Sequence, residues 1–417
     1  MTDQADTLRS ELRARLPDRL PPRLGVAVSG GGDSVALLHL LHDITQTEQT
    51  RLFAATVNHG LRPEAAAEAD QVAELATRLG IAHETLLWQG WDGAGNLQDQ
   101  ARQARYRLLT DWARRNDIPA IALGHTADDQ AETVLMRLGR AAGVSGLSGM
   151  PDARDQNGVT LLRPMLGITR QDLRDYLSGL GEGWIEDPSN HDQKFDRIKA
   201  REALTGLGAL GISAQSLARV AENLAQAREA LARYTQESAR KCATVDGGDV
   251  YIDRNSFGLL PMEIQRRLVV GIIAWIAGQG YPPRGTAVDQ AATAVREGQT
   301  LTLAGCLLIP HKDKMWFCRE LNAVATETAA PQEVWDDRWV LTGPRAAGAE
   351  IRALGQAGLP QVPEWRALGK PRQALLSSPA VWSGQNLLAA PLADYSNGWS
   401  VDFAPHRAEF YSSLLSH

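Results

Sequence analysis

The sequence predicts an α/β fold with a doubly wound, mostly parallel sheet over its first half, and three observations carry that prediction. Short apolar runs at 24–28, 52–57, 82–87 and 118–123 alternate with stretches of helical spacing, the pattern of parallel βαβ units. The first run breaks into the glycine turn Ser29-Gly30-Gly31-Gly32-Asp33-Ser34, which opens onto the helix-patterned Val35-Ala36-Leu37-Leu38-His39-Leu40-Leu41. Polar clusters at 29–34, 58–62 and 124–133 each fall just past a predicted strand, at the carboxyl ends where open α/β sheets bind ligands.

The elements follow in order. A helix is predicted over 63–79, closed by Gly80, and another over 96–116. Past 206 the texture changes. Residues 213–241 are rich in Ala, Glu, Gln and Arg at helical spacing, and 261–277 reads as a second amphipathic helix. The expected organisation is an α/β domain at 1–205, a mainly helical domain at 206–325, a linker-like stretch at 326–333 and a small α+β module at 334–417. That last module holds Trp335, Trp339, Trp365, Trp382 and Trp399. Filling its core is the commoner use of such tryptophans, and stacking on RNA is the other.

Composition limits the function classes. A chain of 417 residues is long enough for two or three domains. No stretch approaches the roughly 20 apolar residues of a membrane span, and the polar start has no apolar leader core. Cys242, Cys306 and Cys318 are too scattered for a disulfide framework or a Cys-x-x-Cys metal site, which fits a reducing cytoplasm. The net charge of −6 excludes a polycation but leaves room for a local basic face.

The glycine turn carries the strongest chemical signal. Consecutive glycines let backbone N–H groups converge on an anion at a helix N-terminus, and Ser29 and Ser34 add hydroxyl donors. It is neither a Walker A loop, having no Gly-Lys-Ser/Thr, nor Gly-x-Gly-x-x-Gly. A carboxylate facing polyphosphate is repulsive without a cation between them, so Asp33 suggests a Mg²⁺ bridge. The plainer alternative is a helix cap. His125, Asp128, Asp129 and Glu132 share the start of one helix, where carboxylates can hold Mg²⁺ and His125 can donate to phosphate or shuttle a proton. An acidic first turn stabilised by the helix dipole is the alternative. His59 and Arg62 stand at a second strand end, within reach of a nucleotide or a base. Of Arg102, Arg105 and Arg107 on one helix only Arg105 is taken as a candidate. Lys194, Arg197, Lys199 and Arg201 beside Phe195 suit RNA phosphates.

The hexamer resembles the Ser-Gly-Gly-x-Asp-Ser signature of PP-loop ATP pyrophosphatases, which cleave ATP between its α and β phosphates and transfer AMP. Further segments narrow the likeness. Val57-Asn58-His59-Gly60-Leu61-Arg62, Ala101-Arg102-Gln103-Ala104-Arg105-Tyr106, Gly124-His125-Thr126-Ala127-Asp128-Asp129-Gln130-Ala131-Glu132-Thr133, Leu162-Arg163-Pro164-Met165-Leu166 and Asp187-Pro188-Ser189-Asn190 are similar, in order and spacing, to the motifs of tRNA(Ile)-lysidine synthetases. The match spans about 24–205. Two departures stand out. The family's Arg-Gly-Ser-Gly-x-x-Gly-Leu reads Arg140-Ala141-Ala142-Gly143-Val144-Ser145-Gly146-Leu147, and its Arg-Asn-x-x-Arg reads Arg197-Ile198-Lys199-Ala200-Arg201.

The resemblance implies ATP and Mg²⁺ as cofactors, with free L-lysine and a tRNA(Ile) bearing a CAU anticodon as substrates. It implies nucleotide contacts from Ser29, Gly30, Gly31, Gly32, Asp33, Ser34 and His59, with Asp33 on the metal. It also implies a reaction centre of Asp33, Arg105, His125, Asp129 and Glu132, and tRNA contacts from Arg62, Arg140, Arg197 and Arg201. The second and third domains would grip the tRNA. Which carboxylate orients the lysine amine, and the oligomeric state, stay open. The rivals are a tRNA thiolase on the same scaffold, disfavoured because all three cysteines lie beyond 240 and no iron–sulfur motif is present, and a non-catalytic tRNA-binding protein with a degenerate pocket.

Overall fold

The computed structural model describes residues 2–60, 64–89, 96–186, 196–278, 283 and 285–415, in two compact units, Met1–Arg228 and Glu229–His417. Unit 1 opens with α1 (Thr2–Ala14) and then alternates strand and helix. The elements are β1 (Arg23–Ala27), α2 (Gly32–Thr45), β2 (Arg51–Asn58), α3 (Ala65–Arg78), β3 (Ala82–Leu87), α4 (Leu97–Arg115), β4 (Ala120–Leu123) and α5 (Ala127–Leu138). A short α6 (Val144–Leu147) precedes β5 (Ala153–Gln156) and β6 (Val159–Leu162), and α7 (Arg170–Leu180) and α8 (Asp196–Leu207) complete the α/β part.

The six strands lie in the order β3-β2-β1-β4-β6-β5. β1 pairs in parallel with both β2 and β4, and, covered on both faces, it is buried from Leu24 to Ala27, the apolar run of an interior parallel strand. The edge strand β3 buries far less of itself. At the other edge β5 runs antiparallel to β6, across Asn157 and Gly158 with φ of 55° and 77°, the Asn-Gly chemistry of a two-residue hairpin. Leucines of α1 and α2, with Leu173 and Leu177 of α7, pack on one face. Leu109 and Trp112 of α4 pack on the other. β1 continues outward to β2 and inward to β4, so the strand order reverses between β1 and β4. That is where a doubly wound sheet opens a crevice for ligands.

The division between the units falls within α9 (Ala214–Cys242). In unit 2, β7 (Ala243–Asp246), β8 (Asp249–Asp253), β9 (Leu301–Leu303), β10 (Cys306–His311) and β11 (Lys314–Arg319) form an antiparallel sheet ordered β7-β8-β11-β10-β9. It shares a core with α10 (Arg254–Gly258), α11 (Met262–Ala277) and α12 (Gly285–Glu297). The helical reading of 206–325 thus gains a sheet of strands only three to six residues long. Beyond it stand two three-stranded sheets. Trp335, Trp339 and Trp399 fill one core, with Trp382 in a second. At 326–333, Ala329 bridges to Ile351, giving and taking a backbone hydrogen bond.

Candidate active site

The chain leaves β1 through Val28, turns at Gly30 and enters α2 at Gly32. Gly30 has φ of 87°, and a Cβ there would lie 2.5 Å from Ile185 Cδ1. Backbone conformation and space therefore both demand glycine. Ser34 ties the turn together: its Oγ accepts from the Ser29 N–H (3.0 Å) and donates to the Gly31 carbonyl (2.9 Å). The first amides of α2 have no intrahelical partner and carry the positive end of its dipole. Outside the turn, Ile185 N–H donates to the Gly30 carbonyl (2.9 Å), and the Trp184 ring faces Gly32. On the inner side a Cβ on Gly124, just past β4, would sit 3.1 Å from Ser34 Cα. The loops after β1 and β4 therefore abut at the switch point.

The acidic helix start fills this junction. Thr126 caps α5, and Asp129 returns the contact by accepting from the Thr126 N–H (2.9 Å) through Oδ2. Its other oxygen faces a guanidinium, that of Arg170, 3.6 Å away. Asp129 therefore serves the cap of α5 with one oxygen and faces Arg170 with the other. Arg170 also donates through Nε to Asp33 Oδ2 (3.1 Å), and its Nη1 lies 4.0 Å from Glu132 Oε1. Its backbone N–H donates to Asp128 Oδ2 (2.7 Å). Glu132 is 1% exposed and accepts from Arg201 Nε (2.9 Å), while its buried Oε2 has no hydrogen-bond partner among the described residues. Gln130 is structural, exchanging two hydrogen bonds with the Met150 backbone.

Burial raises the Asp33 carboxyl above the ordinary range, Arg170 only partly opposing it. Glu132 is raised too, by burial and then by Asp129. For Asp129, burial also acts upward, but Arg170 and His125 outweigh it and the net shift is downward. Burial, reinforced by Arg105 and Arg163 against the pull of Asp129, lowers His125 to about 3. The imidazole is therefore neutral at physiological pH, able to accept or donate one proton but not standing as a cation. Its buried Nδ1 has no hydrogen-bond partner among the described residues.

The other candidates distribute as follows. Arg105 is half-buried on α4 and acts electrostatically on both His59 and His125, whereas Arg102 and Arg107 face solvent. His59 stacks edge-on to Trp88 at 5.6 Å, and its Nδ1 has no hydrogen-bond partner among the described residues. Arg197, on α8, contributes to the field at His125 and Asp129. Arg140 lies exposed after α5, 3.7 Å from Asp196. Arg62, Asp187-Pro188-Ser189-Asn190, Lys194 and Phe195 lie outside the described residues. Arg170 was not among the residues singled out from sequence. Its signal was the capping box of Thr169 and Asp172, which places the intervening Arg170 at the first turn of α7.

Both departures have structural counterparts. Ala141 adopts φ of 52°, the left-handed region that glycine enters freely and alanine does not. Ala141→Gly is expected to stabilise unit 1 by about 1 kcal/mol, read as a raised thermal midpoint with unchanged activity. Ile198, in the asparagine position, is buried in α8.

Among the described residues no group of three or more His, Cys, Asp or Glu side chains forms a metal cage. Asp33 and Asp129, flanking Arg170, instead offer the one or two hard oxygen donors that Mg²⁺ takes when phosphates and water complete its shell.

Residues 5–207 match the PP-loop domain family, whose members use ATP. The chain is 55% identical to a tRNA(Ile)-lysidine synthase of Ruegeria pomeroyi over 417 residues, all of both chains. A tRNA(Ile)-lysidine synthase of Wolbachia pipientis wMel is 33% identical over 90% of this chain and 89% of its own. Among solved structures, the U34-tRNA thiolase NcsA of Methanococcus maripaludis aligns at 17% identity and a TM-score of 0.47, over 53% of this chain and 78% of that one, a likeness too weak to carry an argument. The glycine turn, the carboxylates gathered beside it and the full-length identity agree, and the chain belongs to the tRNA(Ile)-lysidine synthase family.

Proposed function

We propose that the chain ligates free L-lysine to carbon-2 of the wobble cytidine in a tRNA(Ile) with a CAU anticodon, in two steps driven by ATP. In the first, the cytidine O2 attacks the α-phosphorus of ATP and pyrophosphate leaves. In the second, the lysine ε-amine loses a proton and attacks carbon-2, and AMP departs with the former O2. The observation that carries this reading is the meeting of the glycine turn with Asp33, Asp129 and Glu132 at one sheet end.

The turn and the amides of α2 would cradle the pyrophosphate, with Ser29, Ser34 and His59 as further contacts. Mg²⁺, held by Asp33 and Asp129, would supply positive charge against the phosphates. Arg105 and neutral His125 stand where they can orient the base and accept or donate a proton. Glu132 Oε2, which has no partner among the described residues, suits an ammonium, so Glu132 is assigned the lysine amine. Arg62, Arg140, Arg197 and Arg201, with residues 206–325 and 334–417, are assigned to the tRNA, and the cytoplasm to the enzyme.

Thiolation gains nothing from the cysteines. All three are buried, and burial raises the Cys242 thiol to about 11 and Cys306 to about 12, so neither is a ready nucleophile. The test is product identity. Full-length protein with ATP, lysine and the CAU transcript is expected to yield AMP and pyrophosphate in equal amounts, only when tRNA is present. Bound tRNA with no ATP consumed would favour the non-catalytic reading.

A further inference from the structure

Arg170 joins groups that the sequence keeps far apart. Its Nε donates to Asp33 on the glycine turn at 3.1 Å. Its two Nη atoms lie 3.6 Å from Asp129 and 4.0 Å from Glu132, both on α5. We propose that this guanidinium is the built-in counter-ion of the nucleotide-free enzyme, which a divalent cation must displace from Asp33. The inference rests on the functional reading above.

Three features favour exchange over a permanent structural link. First, the Arg170 backbone is fixed independently of its side chain. The N–H is held by Asp128 at 2.7 Å, and the Thr169–Asp172 capping box anchors the helix start. The side chain can therefore swing without disturbing α7. Second, the Asp33 contact at 3.1 Å and the two longer ones at 3.6 and 4.0 Å all exceed the 2.7–2.9 Å of charge-assisted bonds, and the Arg170 side chain is 21% exposed. Third, Glu132 has its own cation, Arg201, at 2.9 Å. Removing Arg170 therefore strips countercharge chiefly from Asp33 and Asp129, the pair that suits a divalent ion.

The consequence is an order of entry. A bare divalent ion competes with a tethered cation and binds weakly. A nucleotide–metal complex replaces the charge and also offers phosphate oxygens to the displaced fork. Metal therefore enters with ATP.

The experiment titrates nucleotide-free, full-length protein with Mn²⁺, a spectroscopic stand-in for Mg²⁺, and reads free Mn²⁺ by electron paramagnetic resonance. Arg170→Gln is expected to bind Mn²⁺ at least tenfold more tightly than the wild type. Adding Asp33→Asn should cancel the gain, and Arg170→Lys, which keeps the charge but not the fork, should gain about threefold. A lost structural link would instead weaken binding. Affinity unchanged or lower in folded Arg170→Gln, or a gain that survives Asp33→Asn, overturns the proposal. Should Arg170→Gln not fold, Arg170→Lys decides, and no gain there overturns it equally. ATP titration of the wild type keeps the two readings separate. Absence of nucleotide binding sinks the functional reading, whereas the Mn²⁺ comparison judges Arg170 alone.

Discussion

Replacing Asp33 with asparagine is expected to lower tRNA-dependent pyrophosphate release on the order of a thousandfold while leaving the protein at least as heat-stable. The two halves have one cause. Burial opposes the charged form of this carboxylate, and Arg170 offsets only part of that. The folded protein therefore holds an anion that it would more easily hold neutral, as expected where stability is given up for function. Asparagine keeps the size and the local fold, because the turn itself is tied by Ser34. What goes is the charge proposed to hold Mg²⁺ against the phosphates. Pyrophosphate release and a thermal melt on the same preparation check both halves. Activity within tenfold of wild type would remove Asp33 from the reaction, and a midpoint lowered by several degrees would make it structural.

Glu132→Gln is the second large effect, and it should separate the substrates. The variant keeps an oxygen for Arg201 Nε but loses the charge on a site that is 1% exposed. A buried ammonium without its carboxylate loses a strong charge-assisted contact. The KM for lysine should rise on the order of a hundredfold, with the KM for ATP changed less than threefold. Equal changes in both constants would show that Glu132 supports the site as a whole and does not serve lysine in particular.

Legibility from sequence followed the range of the interactions. The glycine turn, the strands around it and α4 were readable because a central parallel strand is a continuous apolar run and a long helix repeats its period many times. The β5–β6 hairpin went unread although Asn157-Gly158 marks it, since each strand has only four residues. The sheet of unit 2 was hidden for the same reason, its strands being brief interruptions between α9, α11 and α12. Arg170 escaped for a different one. It lies 137 residues from Asp33, and no local pattern announces a partner that only the fold supplies. The acidic first turn of α5 was legible, but the Thr126–Asp129 capping box and the approach of the second Asp129 oxygen to Arg170 were not. Ala141 shows the converse. Its departure from the family motif was visible at once, and the left-handed backbone that makes glycine the better residue appears only in the structure.

The most direct measurement of the central claim uses purified full-length protein, ATP with Mg²⁺, radiolabelled lysine and an unmodified tRNA(Ile) transcript with a CAU anticodon. Label is counted in RNA after mild base, which removes aminoacyl esters and spares a carbon–nitrogen bond. Base-stable label that depends on ATP and is lost with Asp33→Ala is the expected result. RNA without base-stable label, from protein that binds the transcript and beside a lysidine synthetase of known activity that labels it, would overturn the assignment of lysidine formation to this chain.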